Sequence, residues 1–262
     1  MSPMSTTVGY DQRTFVQSLE RGLAVLRVFG ADAPALTLAD VARRAELSRA
    51  TARRILHTLH ALGYVAFDGK LFELTPKVLD LGYAYLSSMH LADISQPTME
   101  ALSEQVHESV SIALLDGDDI VYVARVPTKR IMTIALGLGS RLPAHCTSLG
   151  RAILAHLAEA ELACYLARVE LAPRTERTIT DRDELRVVLA EVRQRGWAIV
   201  DQELEDGVRS IAAPIRDRGG RVVAALNIGT QVSRVTLTQI RSTLVPALLD
   251  AAGQITDQLA KR

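Results

Sequence analysis

The sequence has only two cysteines, Cys146 and Cys164, too few for a disulfide framework or a four-sulfur zinc site. Both are expected to be free thiols. No apolar run approaches the ~20 residues of a membrane span, and residues 1–9 lack the basic start and apolar core of a signal peptide. A cytoplasmic protein with no membrane partner is expected. Catalytic signatures are missing too: there is no G-x-S-x-G, no P-loop and no H-E-x-x-H. Gly137 Leu138 Gly139 lacks the third glycine and the strand-to-helix context of a dinucleotide fingerprint. The six histidines (57, 60, 90, 107, 145, 156) show no metal-ligand spacing, so neither a metal nor a cofactor is expected. Net charge is also absent, since 30 Lys and Arg balance 30 Asp and Glu. That total leaves a polyanionic partner open, because affinity follows positive density over about a Debye length, roughly 8–10 Å.

With 48% hydrophobic and 23% charged residues over 262 positions, the composition is that of a folded protein. The length suits two domains of roughly 100–200 residues. Residues 1–16 are small and polar and read as a disordered leader. In 18–29, Leu19, Leu23 and Leu26 recur at helical spacing. Thr37, with Asp40 three residues later, and Ser48 are placed to cap two further helices, the second ending at Gly63. Apolar residues in 64–67 and 70–74 then flank Asp68 Gly69, a type I′ turn signal. Helix, helix, turn, helix, hairpin is the order of a winged helix-turn-helix, here 17–75. Thr75 and Pro76 open a linker helix to Met89, within a linker of 76–92.

Residues 93–262 alternate between helix and strand patterns. Helices are expected at 97–107, from Ser148, at 159–168, from Asp181 to Arg195, and at 236–259 with an interruption near Pro246. Strands are expected at 110–115, 120–126, 131–136, 197–200, 210–215 and 222–228, with a loop over 137–147. The expected fold is an α-rich winged helix-turn-helix domain followed by an α+β domain with a mostly antiparallel sheet.

The third helix answers the charge question. Residues 43–54 hold five arginines (43, 44, 49, 53, 54) against a single Glu46. Arginine suits both guanine edges and phosphate oxygens. Arg49 and Arg53 are the candidates for base edges, Arg54 and the wing residue Lys70 for phosphate. Short Ser48, Ala50 and Thr51 at the helix start let the backbone come close. The competing reading is a solvated arginine face on a structural bundle, which the turn spacing and the wing disfavour. His145 and Cys146 suggest a Cys-His nucleophile, but sequence neighbours usually point apart. The turn ahead of a helix start at Ser148 and Leu149 offers free backbone N–H groups to a carboxylate, and an ordinary capped helix reads the same way.

The patterns Ser18 Leu19 Glu20 Arg21 Gly22 Leu23, Leu36 Thr37 Leu38, Leu47 to Leu56, and Leu62 Gly63 Tyr64 resemble the DNA-binding domain of the IclR family of bacterial transcription regulators. Pro143 Ala144 His145, Ser148 Leu149 Gly150 Arg151 Ala152, Arg195 Gly196 Trp197, Glu203 with Gly207, and Ser210 to Asp217 resemble the landmarks of its effector domain. The resemblance runs in order over about residues 17–258. It implies a GAF-like second domain (93–262) that binds a small organic acid, and pairing into dimers or dimers of dimers. Residue by residue, it places a carboxylate at the backbone of Ser148 and Leu149, polar pocket positions at Ser210, Asn227 and Gly229, and an apolar wall at Ile131, Ile134 and Leu142. The family often has an acidic residue where this chain has Val200; Asp201, next to it, is the acidic candidate, and the departure favours a less polar ligand. The run from Asp119 to Pro127 and from Arg130 to Ile134 is most similar to regulators of aromatic-acid breakdown, the protocatechuate and 4-hydroxybenzoate (β-ketoadipate pathway) subgroup.

The expectation is a homo-oligomeric regulator that binds double-stranded operator DNA and senses a small carboxylate effector, not an enzyme. Its rivals are a small-molecule enzyme using His145 and Cys146 with an incidental N-terminal bundle, and a partner-binding module using the arginine face.

Overall fold

The computed structural model describes residues 14–30, 32–82, 91–128 and 136–261, divided into two compact units, Met1–Ser88 and Met89–Arg262. In the first unit, α1 (Gln17–Arg27), α2 (Leu38–Arg44) and α3 (Arg49–Ala61) enclose a core of Val25, Phe29, Leu36, Val41, Leu56, Leu59, Val65 and Phe72. Thr37 and Ser48 adopt extended backbone and accept N–H groups from Asp40 and Thr51, so the first turns of α2 and α3 are capped by side chains. The link between them closes tightly: Glu46 takes a left-handed φ of 55° and the Leu47 N–H donates to the Ala42 carbonyl at 2.8 Å. That tight link sets α3 across α2 with Ala52 and Leu56 buried, leaving its arginine side outward.

The wing has three strands, not two. A short β1 (Ala35–Leu36) pairs with β3 (Phe72–Leu74), which pairs with β2 (Val65–Phe67). Phe67 and Phe72 stand opposite each other with stacked rings 4.3 Å apart. The expected two-residue Asp-Gly turn is therefore a four-residue loop, 68–71. Asp68 Oδ1 accepts the N–H groups of Lys70 (2.8 Å) and Leu71 (2.7 Å), and this side-chain turn competes successfully with type I′ geometry. Thr75 caps a 3₁₀ turn, Pro76–Val78, at the place where the sequence predicts the opening of the linker helix; residues 83–89 of the span expected to be that helix lie outside the described residues.

In the second unit, α4 (Leu91–Val106) starts well before the expected Pro97, which sits inside the helix. Pro97 cannot donate to the preceding turn, yet the buried stripe of Leu91, Ser95, Met99 and Leu102 continues through it. Tertiary packing overrides the local break. The sheet runs β6 (Arg141–Pro143), β5 (Asp119–Val126), β4 (Ser109–Asp116), β9 (Val222–Gln231), β8 (Val208–Arg216), β7 (Ala198–Asp201), and every pairing is antiparallel. β6 lies within the expected loop, and residues 131–135 of the strand expected at 131–136 fall outside the described residues.

Strand alternation divides this sheet by face. Val110, Ile112, Leu226, Ile228, Ile211 and Ile215 are buried on one face, beneath α4 and the C-terminal helix α8 (Val245–Ala260), which follows a π-turn, Ile240–Leu244. The other face carries Ala113 opposite Ala225 and, one row along, Ala212 opposite Ala198, and these small side chains let α5 (Ser148–Leu154) lie close, backed by α6 (Glu159–Arg168) and α7 (Arg182–Arg195). Further along that same face the residues turn polar: Ser111, Asn227, Ser109 and Ser210, with Gly229 between the last two. A layer that is close-packed at its alanine end opens into a cavity at its polar end.

Candidate functional site

On the first unit, Arg49, Arg53 and Arg54 are exposed on α3, with Ser48 at its cap, while Lys70 is exposed in the wing loop. Arg49 and Arg53 are four residues apart and so share one helix face. Arg43 is already paired with Asp40 at 2.9 Å; Arg49, Arg53 and Arg54 make no ion pair among the described residues. Ser48 and Thr51 are tied together, hydroxyl to hydroxyl at 2.9 Å, which fixes the start of the helix. The result is a capped helix end whose cations no described residue of the unit neutralises.

On the second unit, a cavity of about 60 Å³ lies between the polar end of the sheet and the start of α5. That is several times the ~10–15 Å³ a single water needs, so it is a chamber and not a packing flaw. Among the residues named from the sequence, Ser148, Leu149, Ser210, Asn227 and Gly229 line it. Ile131 and Ile134 lie outside the described residues. Two others are not among the described lining residues. Leu142, opposite Ile120 on β6, packs on the apolar core and not on the cavity. Asp201 is turned away by strand alternation: Val200 faces the cavity, whereas Asp201 lies across from Arg209 on the opposite face and binds it at 2.8 Å.

The cap is also displaced by one residue. Thr147, not Ser148, caps α5 by accepting the Gly150 N–H at 3.1 Å. Ser148 is thereby freed to point its hydroxyl at the cavity, where Ser148 Oγ and Asn227 Oδ1 are buried without a hydrogen-bond partner among the described residues. Buried polar atoms in that condition cost roughly 1–3 kcal/mol each until something pairs with them.

Several lining residues escape the sequence reading, chief among them Tyr122, Arg125 and Glu205. Tyr122 is opposite Ala113 and Arg125 opposite Ser111, although they stand three positions apart, because β5 bulges between these pairs. In a regular strand they would face opposite sides; the bulge turns both toward the chamber. Burial pushes the Tyr122 phenol up to about 12, so it remains a neutral hydroxyl. Glu205, on the loop after β7, has Oε2 buried without a donor among the described residues. A break in alternation around Val123 is the only trace such a bulge leaves in a sequence.

His145 and Cys146 do not form a nucleophilic pair. The Cys146 thiol faces the Pro143 carbonyl (3.9 Å) and burial pushes it up to about 11, while burial also holds His145 below the ordinary histidine range. A thiol so rarely ionised at neutral pH is a poor nucleophile. Alkylation with iodoacetamide at pH 7.5, read by peptide mass spectrometry, is expected to label exposed Cys164 and to leave Cys146 unmodified in the folded protein; preferential labelling of Cys146 would restore the catalytic reading.

Residues 18–69 match the model of the IclR helix-turn-helix domain, and residues 83–257 match that of the bacterial transcriptional regulator IclR C-terminal domain. The chain belongs to the IclR family. It is 48% identical to the Pca regulon regulatory protein of Pseudomonas putida over 94% of this chain and 84% of that one. A regulator structure from Rhodococcus sp. RHA1 superposes with a TM-score of 0.85 at 53% identity, covering 94% of this chain and 99% of that one. An IclR homologue from Microbacterium hydrocarbonoxydans, solved with 4-hydroxybenzoate, superposes with a TM-score of 0.83 at 26% identity, over 94% of this chain and 100% of that one. As an IclR-type transcriptional regulator, the protein binds DNA through the first unit, and its second unit is the effector domain.

Proposed function

We propose that this IclR regulator controls genes for aromatic-acid breakdown, reading operator DNA with α3 and sensing a small hydroxylated aromatic acid in the sheet cavity. Arg49 and Arg53 contact base edges, Arg54 and Lys70 contact phosphate, and Ser48 and Thr51 bring the helix start close to the backbone. Dimers present two such helices to a two-fold operator. The exposed apolar residues Phe15, Val16, Leu19 and Leu23 on and before α1 are consistent with pairing there.

The observation that carries the effector reading is the polarity inside the cavity. Arg125 offers a cation to a carboxylate, Leu149 and Val200 offer apolar wall, and Asn227 Oδ1 and Glu205 Oε2 are buried acceptors that ask for a donor. An aromatic acid with a ring hydroxyl supplies a carboxylate, an apolar body and a donor. The relatives bear on the same choice: one is named for the Pca regulon, and another was solved with 4-hydroxybenzoate. An aliphatic dicarboxylate fits less well, since its second carboxylate would meet Glu205.

Calorimetric titration of the full chain with 4-hydroxybenzoate, protocatechuate, benzoate and adipate tests this. The hydroxylated acids are expected to bind about 10- to 100-fold more tightly than benzoate, the equivalent of ~1–3 kcal/mol for leaving buried acceptors unpaired. Tighter binding of adipate, or equal binding of benzoate, would overturn the reading.

A further inference from the structure

Arg151 and Glu203 stand in motifs that neither DNA contact nor the lining of the cavity accounts for. They are 52 residues apart in sequence and meet in the interior. Arg151 is 1% exposed, the largest fully buried side chain among the described residues. Its Nη1 donates to Glu203 Oε1 at 2.7 Å and its Nη2 to Oε2 at 2.5 Å, a two-pronged pair, while Nε donates to the His145 carbonyl at 2.7 Å. Glu203 is held in turn: Oε2 accepts the Ile179 N–H and its backbone carbonyl accepts the Thr178 hydroxyl at 2.6 Å.

The two ends of this network sit just outside two different walls of the cavity. His145 directly precedes Cys146, Thr147, Ser148 and Leu149, and Glu203 directly precedes Leu204 and Glu205, all of them lining residues. Gln202, one position earlier, has a left-handed φ of 63°, a conformation that survives in a residue other than glycine only where its surroundings enforce it. A buried ion pair is seldom the most stable way to fill a core, and apolar replacements often do as well. What an apolar group cannot do is bind a carbonyl on one segment and both oxygens of a carboxylate on another.

We infer that Arg151 is a positioning residue for effector recognition: by joining the His145 carbonyl to the Glu203 carboxylate, it sets the distance between the α5 wall and the 202–207 wall of the cavity. This rests on the reading of the cavity as the effector site. It assigns Arg151 and Glu203 no contact with the ligand. Their effect is on where Ser148 and Glu205 stand.

Arg151→Lys tests it, because lysine keeps the charge beside Glu203 but lacks the planar fork that reaches three acceptors at once. Glu203→Gln, which keeps one accepted N–H, provides the same readouts if the lysine variant does not fold. In amide hydrogen exchange of the full chain without ligand, peptides spanning 145–149 and 202–207 are expected to exchange faster in the variant, while β4 and β9 keep their protection. In calorimetry at a temperature where both proteins are folded, affinity for 4-hydroxybenzoate is expected to fall about tenfold or more, the scale of effect when binding groups are misplaced by an ångström. Exchange that rises uniformly across the sheet, or affinity unchanged in the folded variant, would reduce the pair to a structural brace and overturn the inference. If the unsubstituted protein does not bind 4-hydroxybenzoate, the ligand assignment fails on its own, and the exchange pattern still decides whether Arg151 joins the walls.

Discussion

Replacing Arg49 and Arg53 together by alanine is expected to lower affinity for the protein's own upstream DNA by about 10²- to 10⁴-fold, while binding to an unrelated duplex falls far less. A good bidentate contact to a base contributes ~1–3 kcal/mol of discrimination, and 1.4 kcal/mol is a factor of ten. The two arginines share a face of α3 and stand free of ion pairs among the described residues. Truncating them therefore breaks no ion pair among the described residues. Folding should be unaffected, since α3 keeps its Ser48 cap and its buried Ala52, Leu56 and Leu59. Lys70→Ala is the contrast: without the wing ammonium one phosphate goes unneutralised, which weakens all sequences alike and reduces the salt slope by about one unit. Fluorescence anisotropy with specific and scrambled duplexes separates the two outcomes. Equal losses on both duplexes from all three substitutions would refute the assigned roles.

Gly150→Ala is expected to cost the second unit about 3 kcal/mol or more. A Cβ there would lie 2.1 Å from the Ala144 carbonyl oxygen and 2.4 Å from the Ala144 Cα, both backbone atoms with no rotamer to escape into. Overpacking usually costs ~1–3 kcal/mol, and here α5 or the preceding turn must move bodily. At roughly 2–4 °C per kcal/mol for a unit of this size, the melting temperature should fall by about 10 °C. Gly229→Ala provides the control from the same site. No heavy atom lies within 4 Å of its would-be Cβ, and the new methyl group points into the cavity. The melting temperature is expected to hold while the stabilisation by 4-hydroxybenzoate is reduced. Thermal unfolding with and without the ligand reads both, and a stable Gly150→Ala protein would show that the close approach to Ala144 is not what fixes α5 against the preceding turn.

What can be read from the sequence is local. Thr37, Ser48 and Asp181 cap the helices their positions predict, because a capping side chain needs only its own first turn. The arginine face is legible for the same reason. The failures come where a longer-range term wins. Pro97 signals a helix start, yet packing carries α4 through it. Asp68 Gly69 signals a two-residue turn, yet the Asp68 side chain holds a wider one. In the effector domain, Asp201 suggests itself only by standing next to Val200, and a period of two puts neighbours on opposite faces. Arg125 gives no such signal, because the bulge that turns it inward with Tyr122 exists only in the pairing of β5 with β4. Arg151 and Glu203 each stand in a motif, but nothing in the sequence signals that they pair. They are distant in sequence, and the fold alone brings them together.

The central claim is that one chain couples an operator-reading helix to a cavity for a small acid. A ligand can shift DNA binding only if the two DNA-binding states hold it unequally. The most direct test is therefore a single anisotropy experiment on the full chain. The duplex is either its own upstream DNA or a scrambled sequence, titrated over a range of salt with and without 4-hydroxybenzoate. The expected result is a preference for the upstream DNA, affinity that falls steeply with salt, and a change in that affinity when the acid is added. Equal binding to both duplexes, insensitive to salt and unchanged by the acid, would contradict it.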